Sequence, residues 1–334
     1  MSSAQWEPEL DAPKPLIYLS GIARSVQLSE EEFYNRTGYR YRCSSYAYCA
    51  QGSPFFMRHW DEALHAFRKL KLHVFLDSGA HTFHELTAPK VERRRRYNVQ
   101  ESVKRRVKLG TVNDYLEGYI RFCRERRKQF DFYVNFDYVQ RCADIYTVYR
   151  KMRESGLCPV PVYHGDDSID WFHRYIEEGN RLIGIGWNPL ANSRYHRRKY
   201  YDQIFNVVSK LTTRIYLHGF ACTGTDALNY PWYSVDSTTW LKAAANGGIL
   251  ILKPRGQGRA PKIVKLNVSE RMQAKEGLKT DYHVQELAES RGFSSEDLSC
   301  SLAARALYNT MFFRDLPFVH PGKEAKRIQW KPLV

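Results

Sequence analysis

The chain has 334 residues, 43% of them hydrophobic and 14% aromatic, which excludes a disordered protein and suffices for one large domain or two ordinary ones. No run approaches the roughly 18 apolar residues of a membrane span. The first residues, MSSAQWEPELDAPKP, lack the charged and apolar stretches of a signal peptide, so a soluble cytoplasmic protein is expected. The formal charge of +15 and pI near 9.4 point to a polyanionic partner, because phosphate contacts dominate nucleic-acid affinity.

In chain order, an N-terminal extension (1–14) precedes short apolar runs that alternate with amphipathic stretches, the pattern of βα units and a parallel sheet. The expected strands are PLIYLSG (15–21), HVFLDSG (73–79), DFYVNFD (131–137), PVPVYHG (159–165), RLIGIG (181–186), RIYLHG (214–219), WYSVD (232–236) and GILILK (248–253). Helices are expected at about 57–70, 112–129, 142–155, 168–179, 198–210 and 238–246, with a shorter piece near 224–229. In the second of these, Tyr115, Tyr119, Phe122 and Cys123 share one face. Eight strands with intervening helices over 15–255 suggest an α/β fold, a (β/α)8 TIM-like barrel, with a doubly wound open sheet as the rival. A basic insertion (84–110) would then follow the second strand. Residues 256–334 read as a linker or small hairpin, two helices at about 281–292 and 296–313, and an extended tail. The seven scattered cysteines never form C-x-x-C, so reduced thiols and no metal site are expected.

In a barrel the active site gathers at the C-terminal ends of the strands. Those ends are polar here: Asp77-Ser78-Gly79, Asp137, His164-Gly165, Gly184-x-Gly186, His218-Gly219 and Asp236-Ser237. One polar strand end is usually a cap or turn, whereas six argue for an enzyme. Each aspartate keeps a structural alternative. Asp77 can brace the turn into Gly79, Asp137 can make a buried hydrogen bond, and Asp236 can cap the helix from Thr238, as can Ser237. Several carboxylates in one partly dry site suit glycosidic-bond chemistry, which needs one nucleophile and one acid/base.

The motifs DSGAHTF (77–83), NFD (135–137), YHG (163–165), IGIG (183–186), LHGF (217–220) and SVDSTTW (234–240), in this order and spacing, resemble the tRNA-guanine transglycosylase superfamily. The resemblance is strongest to its phage-encoded DNA-guanine transglycosylases, which install 7-deazaguanines in DNA. It covers about residues 15–255. It implies that Asp236, matching the family's seventh-strand aspartate, attacks C1′ and forms a covalent glycosyl-enzyme, while Asp77 transfers protons. It further implies a base pocket formed by Ser78, His81, Asp137, His164, Gly165, Gly184, Gly186 and His218. His164 stands where the family has glutamine and His81 where it has an aromatic stacker, so base reading differs at both positions. Both can instead be ordinary core or surface histidines.

The zinc subdomain of the transfer-RNA enzymes has no counterpart, since Cys300 is the one cysteine of the C-terminal region. No cofactor is therefore expected. The expected partners are DNA and a free 7-deazaguanine base, most readily 7-cyano-7-deazaguanine, in the cytoplasm of a host cell if the protein is phage-encoded. Phosphate contacts are expected from Arg93, Arg94, Arg95, Arg96, Lys104, Arg105, Arg106, Arg197, Arg198, Lys253 and Arg255. Three alternatives stay open: the same exchange on transfer RNA, a base-excising glycosylase, and a non-catalytic nucleic-acid-binding barrel.

Overall fold

The computed structural model of the chain describes residues 15–50, 54–87, 110–138, 141–164, 168–186, 194–253, 261–270 and 283–316. One sheet contains β1 (Leu16–Ser20), β2 (Tyr41–Ser45), β3 (His73–Asp77), β4 (Phe132–Tyr133), β5 (Val162–Tyr163), β6 (Leu182–Ile185), β7 (Tyr216–Gly219) and β8 (Ser234–Ser237). Its order is β4-β3-β2-β1-β8-β7-β6-β5. Every strand except β4 and β5, which end this order, therefore neighbours the strands before and after it in sequence, and β8 returns to pair in parallel with β1, Tyr18 opposite Asp236. A parallel bridge between Val134 and Val160 joins the segments next to β4 and β5. Helices alternate with these strands: α1 (Glu30–Thr37), α2 (Ala47–Ala50), α3 (Pro54–Lys69), α4 (Ala80–Thr87), α5 (Val112–Arg126), α6 (Cys142–Glu154), α7 (Asp170–Glu177), α8 (Arg194–Val208), α9 (Thr225–Asn229) and α10 (Thr239–Ala245). This is the α/β (β/α)8 topology.

The chain divides into two compact units: Met1–Leu10, Arg42–Asn192 and Ile215–Leu217 form the first, and Asp11–Tyr41, Ser193–Arg214 and His218–Val334 the second. In the first, α5 starts at a capping box between Thr111 and Asp114 and buries Tyr115, Leu116, Tyr119, Ile120 and Cys123. Tyr115 and Tyr119 spend their hydroxyls on the carbonyls of Ser78 and Val134, which ties the helix to the ends of β3 and β4. Burial, and next the Asp77 carboxylate, push the Tyr115 phenol far above its ordinary range, so it stays a donor.

The second unit contains an element that departs from the sequence reading. GILILK is not the eighth sheet strand. As β9 (Gly248–Lys253) it pairs antiparallel with β10 (Lys262–Asn267) in a separate ribbon. The missing sheet strand is β2, YRCSS, hidden by its polar composition: Arg42 is fully buried, its guanidinium 5.5 Å from the Phe67 ring centre. Asp77 thus ends the third strand, Asp236 lies on the eighth, and the basic segment follows the third strand rather than the second.

Among the described residues the second unit also contains the helices α11 (His283–Glu289), α12 (Ser295–Cys300) and α13 (Leu302–Arg314). The single helix expected over 296–313 is broken at Ser301. Its extended backbone ends α12, and its hydroxyl accepts the Ala304 N–H to start α13. Asn309 of α13 is buried and fully engaged, accepting from Leu250 N–H and donating to the carbonyls of Trp240 and Gly248. Among the described residues no helix is long and apolar enough to cross a membrane.

Candidate active site

In the first unit the polar residues after β3, β4 and β5 form one network. Asp77 closes β3, and one of its carboxylate oxygens accepts the Gly79 N–H at 3.0 Å, so the turn-bracing role holds for that oxygen. Gly79 has φ +76°, and a Cβ there would stand 2.6 Å from Ala47 Cβ and from the Tyr115 hydroxyl, so only glycine fits. This turn delivers Ser78, fully buried, whose Oγ donates to Asp137 Oδ1 at 3.2 Å and accepts the Ala80 N–H at 3.3 Å. The other oxygen, Asp137 Oδ2, lies 2.9 Å from His164 Nε2, with both side chains largely buried. Among the described residues each Asp137 oxygen therefore has one hydrogen-bond partner, and a carboxylate oxygen can accept from more than one donor.

The backbone around this pair explains two of its neighbours. Gly186 leaves room for the imidazole: a Cβ there would meet His164 Cε1 and Nε2 at 2.6 Å. Gly184 is a ladder residue of β6, paired with Val162, its N–H on the Pro161 carbonyl. Asn135, quoted in the NFD motif but given no role there, is fully buried and accepts the Val162 N–H at 2.7 Å, bridging the chain where β4 and β5 run on. His81 is exposed on α4. An open cleft of about 480 Å³ lies beside α4 and the start of α5, lined by Phe83, Thr87, Thr111 and Tyr138 among others, but by none of the carboxylates named here.

In the second unit the period-two alternation of strands puts Tyr18 and Ser20 of β1 on the same face as Ser234 and Asp236 of β8. His218 of β7 is in register with Ser234. Asp236 is gripped from several sides. Its Oδ2 accepts from Ser20 Oγ at 2.7 Å, and its Oδ1 accepts from the Ala221 N–H at 3.0 Å. His218 Nε2 stands 3.5 Å from Oδ1, while His218 Nδ1 is 2.8 Å from Ser234 Oγ. His218 is fully buried, whereas the Asp236 side chain keeps 13% of its surface exposed. Ala221 reaches the carboxylate from a left-handed backbone (φ +52°), which a residue with a Cβ adopts at a cost.

Helix α10 does not use Asp236 as its cap. The N-cap position is Thr238, whose side chain makes no cap bond, and Ser237 Oγ accepts the Thr239 N–H at 2.9 Å and contacts Thr239 Oγ1. Ser20 itself is held through its carbonyl by the buried Trp240 indole N–H at 2.9 Å. Ser20 and Ser234 lie in the quoted runs PLIYLSG and SVDSTTW without a role assigned to them, although PLIYLSG ends in the same Ser-Gly as HVFLDSG.

Of the expected phosphate contacts, Arg197 and Arg198 lie on α8, Arg198 exposed and Arg197 half-buried. Lys253 is exposed at the end of β9, opposite Lys262, on the ribbon rather than after a sheet strand. Gly165, Arg93, Arg94, Arg95, Arg96, Lys104, Arg105, Arg106 and Arg255 fall outside the described residues. Among the described residues no group of three His, Cys, Asp or Glu side chains could hold a metal ion.

The fold and these networks define a class, an α/β protein of (β/α)8 topology with carboxylates fixed at strand ends. No family model and no curated protein matches the chain. Among solved structures it is similar to the crystal structure of tryptophan synthase alpha chain from Legionella pneumophila subsp. pneumophila, at 10% identity and a TM-score of 0.41, over 89% of this chain and 92% of that chain. Likeness at that level carries no argument about chemistry.

Proposed function

We propose that this protein is a DNA-guanine transglycosylase that exchanges guanine for a 7-deazaguanine, 7-cyano-7-deazaguanine being the first candidate. The observation that carries the reading is the state of Asp236. Its carboxylate sits on a strand end, is held by Ser20 and the Ala221 N–H, leaves the Thr239 N–H of the following helix to Ser237, and is still accessible. A carboxylate so fixed suits in-line attack on a sugar carbon better than it suits a structural role. The motif order from DSG to SVDSTTW and the charge of +15 support the choice of reaction and of a nucleic-acid substrate.

The target nucleotide leaves the duplex stack, at a cost of a few kcal/mol. An Asp236 oxygen attacks C1′, the C1′–N9 bond breaks with its electron pair going to guanine, and Asp77 as the acid delivers the proton that neutralises it. The incoming base then attacks C1′ through N9 and gives its N–H proton to Asp77. The C1′–O bond breaks, and the electron pair returns to Asp236. Asp137, with His164 on one oxygen and Ser78 on the other, is the candidate reader of the N–H edge of the base.

The test is incorporation of labelled guanine into duplex DNA and into transfer RNA, side by side, with the parent and Asp236→Ala. The reading predicts incorporation into DNA that Asp236→Ala abolishes. Incorporation into transfer RNA alone would move the substrate. An abasic product without added base would make the protein an excising glycosylase. Salt-sensitive binding with no exchange would make it a binding barrel.

A further inference from the structure

We infer that Ser20 and His218 are positioning residues for Asp236, holding its carboxylate as the leaving group of the second half of the exchange. The inference rests on the transglycosylase reading and deepens it. Ser20 Oγ has Asp236 Oδ2 as its acceptor at 2.7 Å, and the Trp240 indole fixes the Ser20 carbonyl from behind. His218 is fully buried between Ser234 Oγ at Nδ1 and Asp236 Oδ1 near Nε2, with the Tyr18 ring edge-on at 6.2 Å and the Phe220 ring at 4.8 Å.

The surroundings select one tautomer. A lone pair on Nε2 facing a carboxylate oxygen is repulsive, whereas the Ser234 hydroxyl can donate to Nδ1. The ring therefore directs an Nε2 proton at Asp236. At 3.5 Å this contact is long in the resting protein. It can shorten when negative charge returns to Asp236 as the C1′–O bond breaks.

Donors on a carboxylate act oppositely on the two half-reactions. They temper its attack on C1′ and improve its departure. Removing one should therefore slow resolution of the glycosyl-enzyme more than its formation, so that the covalent species accumulates. A residue needed only for folding would slow both steps together.

The experiment is rapid-quench kinetics of the full chain on guanine-containing duplex DNA, measuring adduct formation without added base and adduct decay after adding guanine. The variants are Ser20→Ala, Ser20→Thr and His218→Gln, each checked for its thermal transition. Ser20→Ala and His218→Gln should slow decay by about ten- to a hundredfold relative to formation, as expected for a hydrogen bond to a charged group. Ser20→Thr, which keeps the hydroxyl, should restore the parental ratio. An unchanged ratio in a folded Ser20→Ala protein would overturn the positioning role while leaving the exchange reaction intact. Absence of any adduct in the parent would instead overturn the underlying transglycosylase reading, and the positioning role with it. If His218→Gln fails to fold, the Ser20 pair decides the question alone.

Discussion

Hydrogen-bond partners assign the strand-end residues their work more sharply than residue type does. Asp236 and Ser237 show this: of these two adjacent positions in SVDSTTW, the first is bonded to Ser20 and Ala221 and the second takes the Thr239 N–H, and only the bonds say which does which. From the string alone Asp236 and Ser237 were equal candidates for the cap, because both side chains accept from a helix N-terminus. What the string could not reveal was Ser20, 216 positions away, since a partner across the β1–β8 pair has no local signature. The Asp137–His164 pair makes a prediction at this scale. Gly186→Ala places a methyl 2.6 Å from the imidazole and should push His164 off Asp137. Base exchange should fall at least tenfold, with KM for the free base rising more than kcat falls. An unchanged KM would remove His164 and Asp137 from base reading. Gly79→Ala is the structural counterpart: strain at φ +76° and the collision with Ala47 should cost about 1–3 kcal/mol in urea unfolding.

Elements were legible where their periodicity was strong and obscure where it was not. Seven of the strand runs read from the sequence are sheet strands, because parallel strands buried on both faces read as apolar runs. YRCSS escaped because Arg42 and two serines break that pattern, and GILILK passed for a sheet strand because an apolar run does not say what it pairs with. The β9–β10 ribbon instead packs with α13, and Asn309 joins the two. Asn309→Leu would strand the buried Leu250 N–H and take a donor from the carbonyls of Trp240 and Gly248. It should lower stability by about 3 kcal/mol, measured as a shift of the urea midpoint at unchanged m. A loss below about 0.5 kcal/mol would show that this side chain is not what fastens α13 to the ribbon.

At the scale of the whole molecule, charge is the property that sequence reports directly, and the (β/α)8 topology says where chemistry is to be sought. The run from Arg93 to Arg96 tests the electrostatic half of the account. Replacing all four arginines by alanine should weaken DNA binding and reduce the slope of log K against log salt by up to about 3.6, at about 0.9 per phosphate contact. An unchanged slope would place the contacts elsewhere, on α8 or the ribbon. The central claim is that the Asp236 carboxylate becomes covalently bonded to the sugar. The direct measurement is denaturing quench of the parent protein with guanine-containing duplex DNA, followed by protease digestion and mass spectrometry of the adducted peptide. The account predicts a base-free deoxyribose linkage on the peptide bearing Asp236, absent from Asp236→Ala and discharged by added guanine. A linkage mapped to Asp77 or Asp137, or exchange proceeding with no linkage at all, would contradict it.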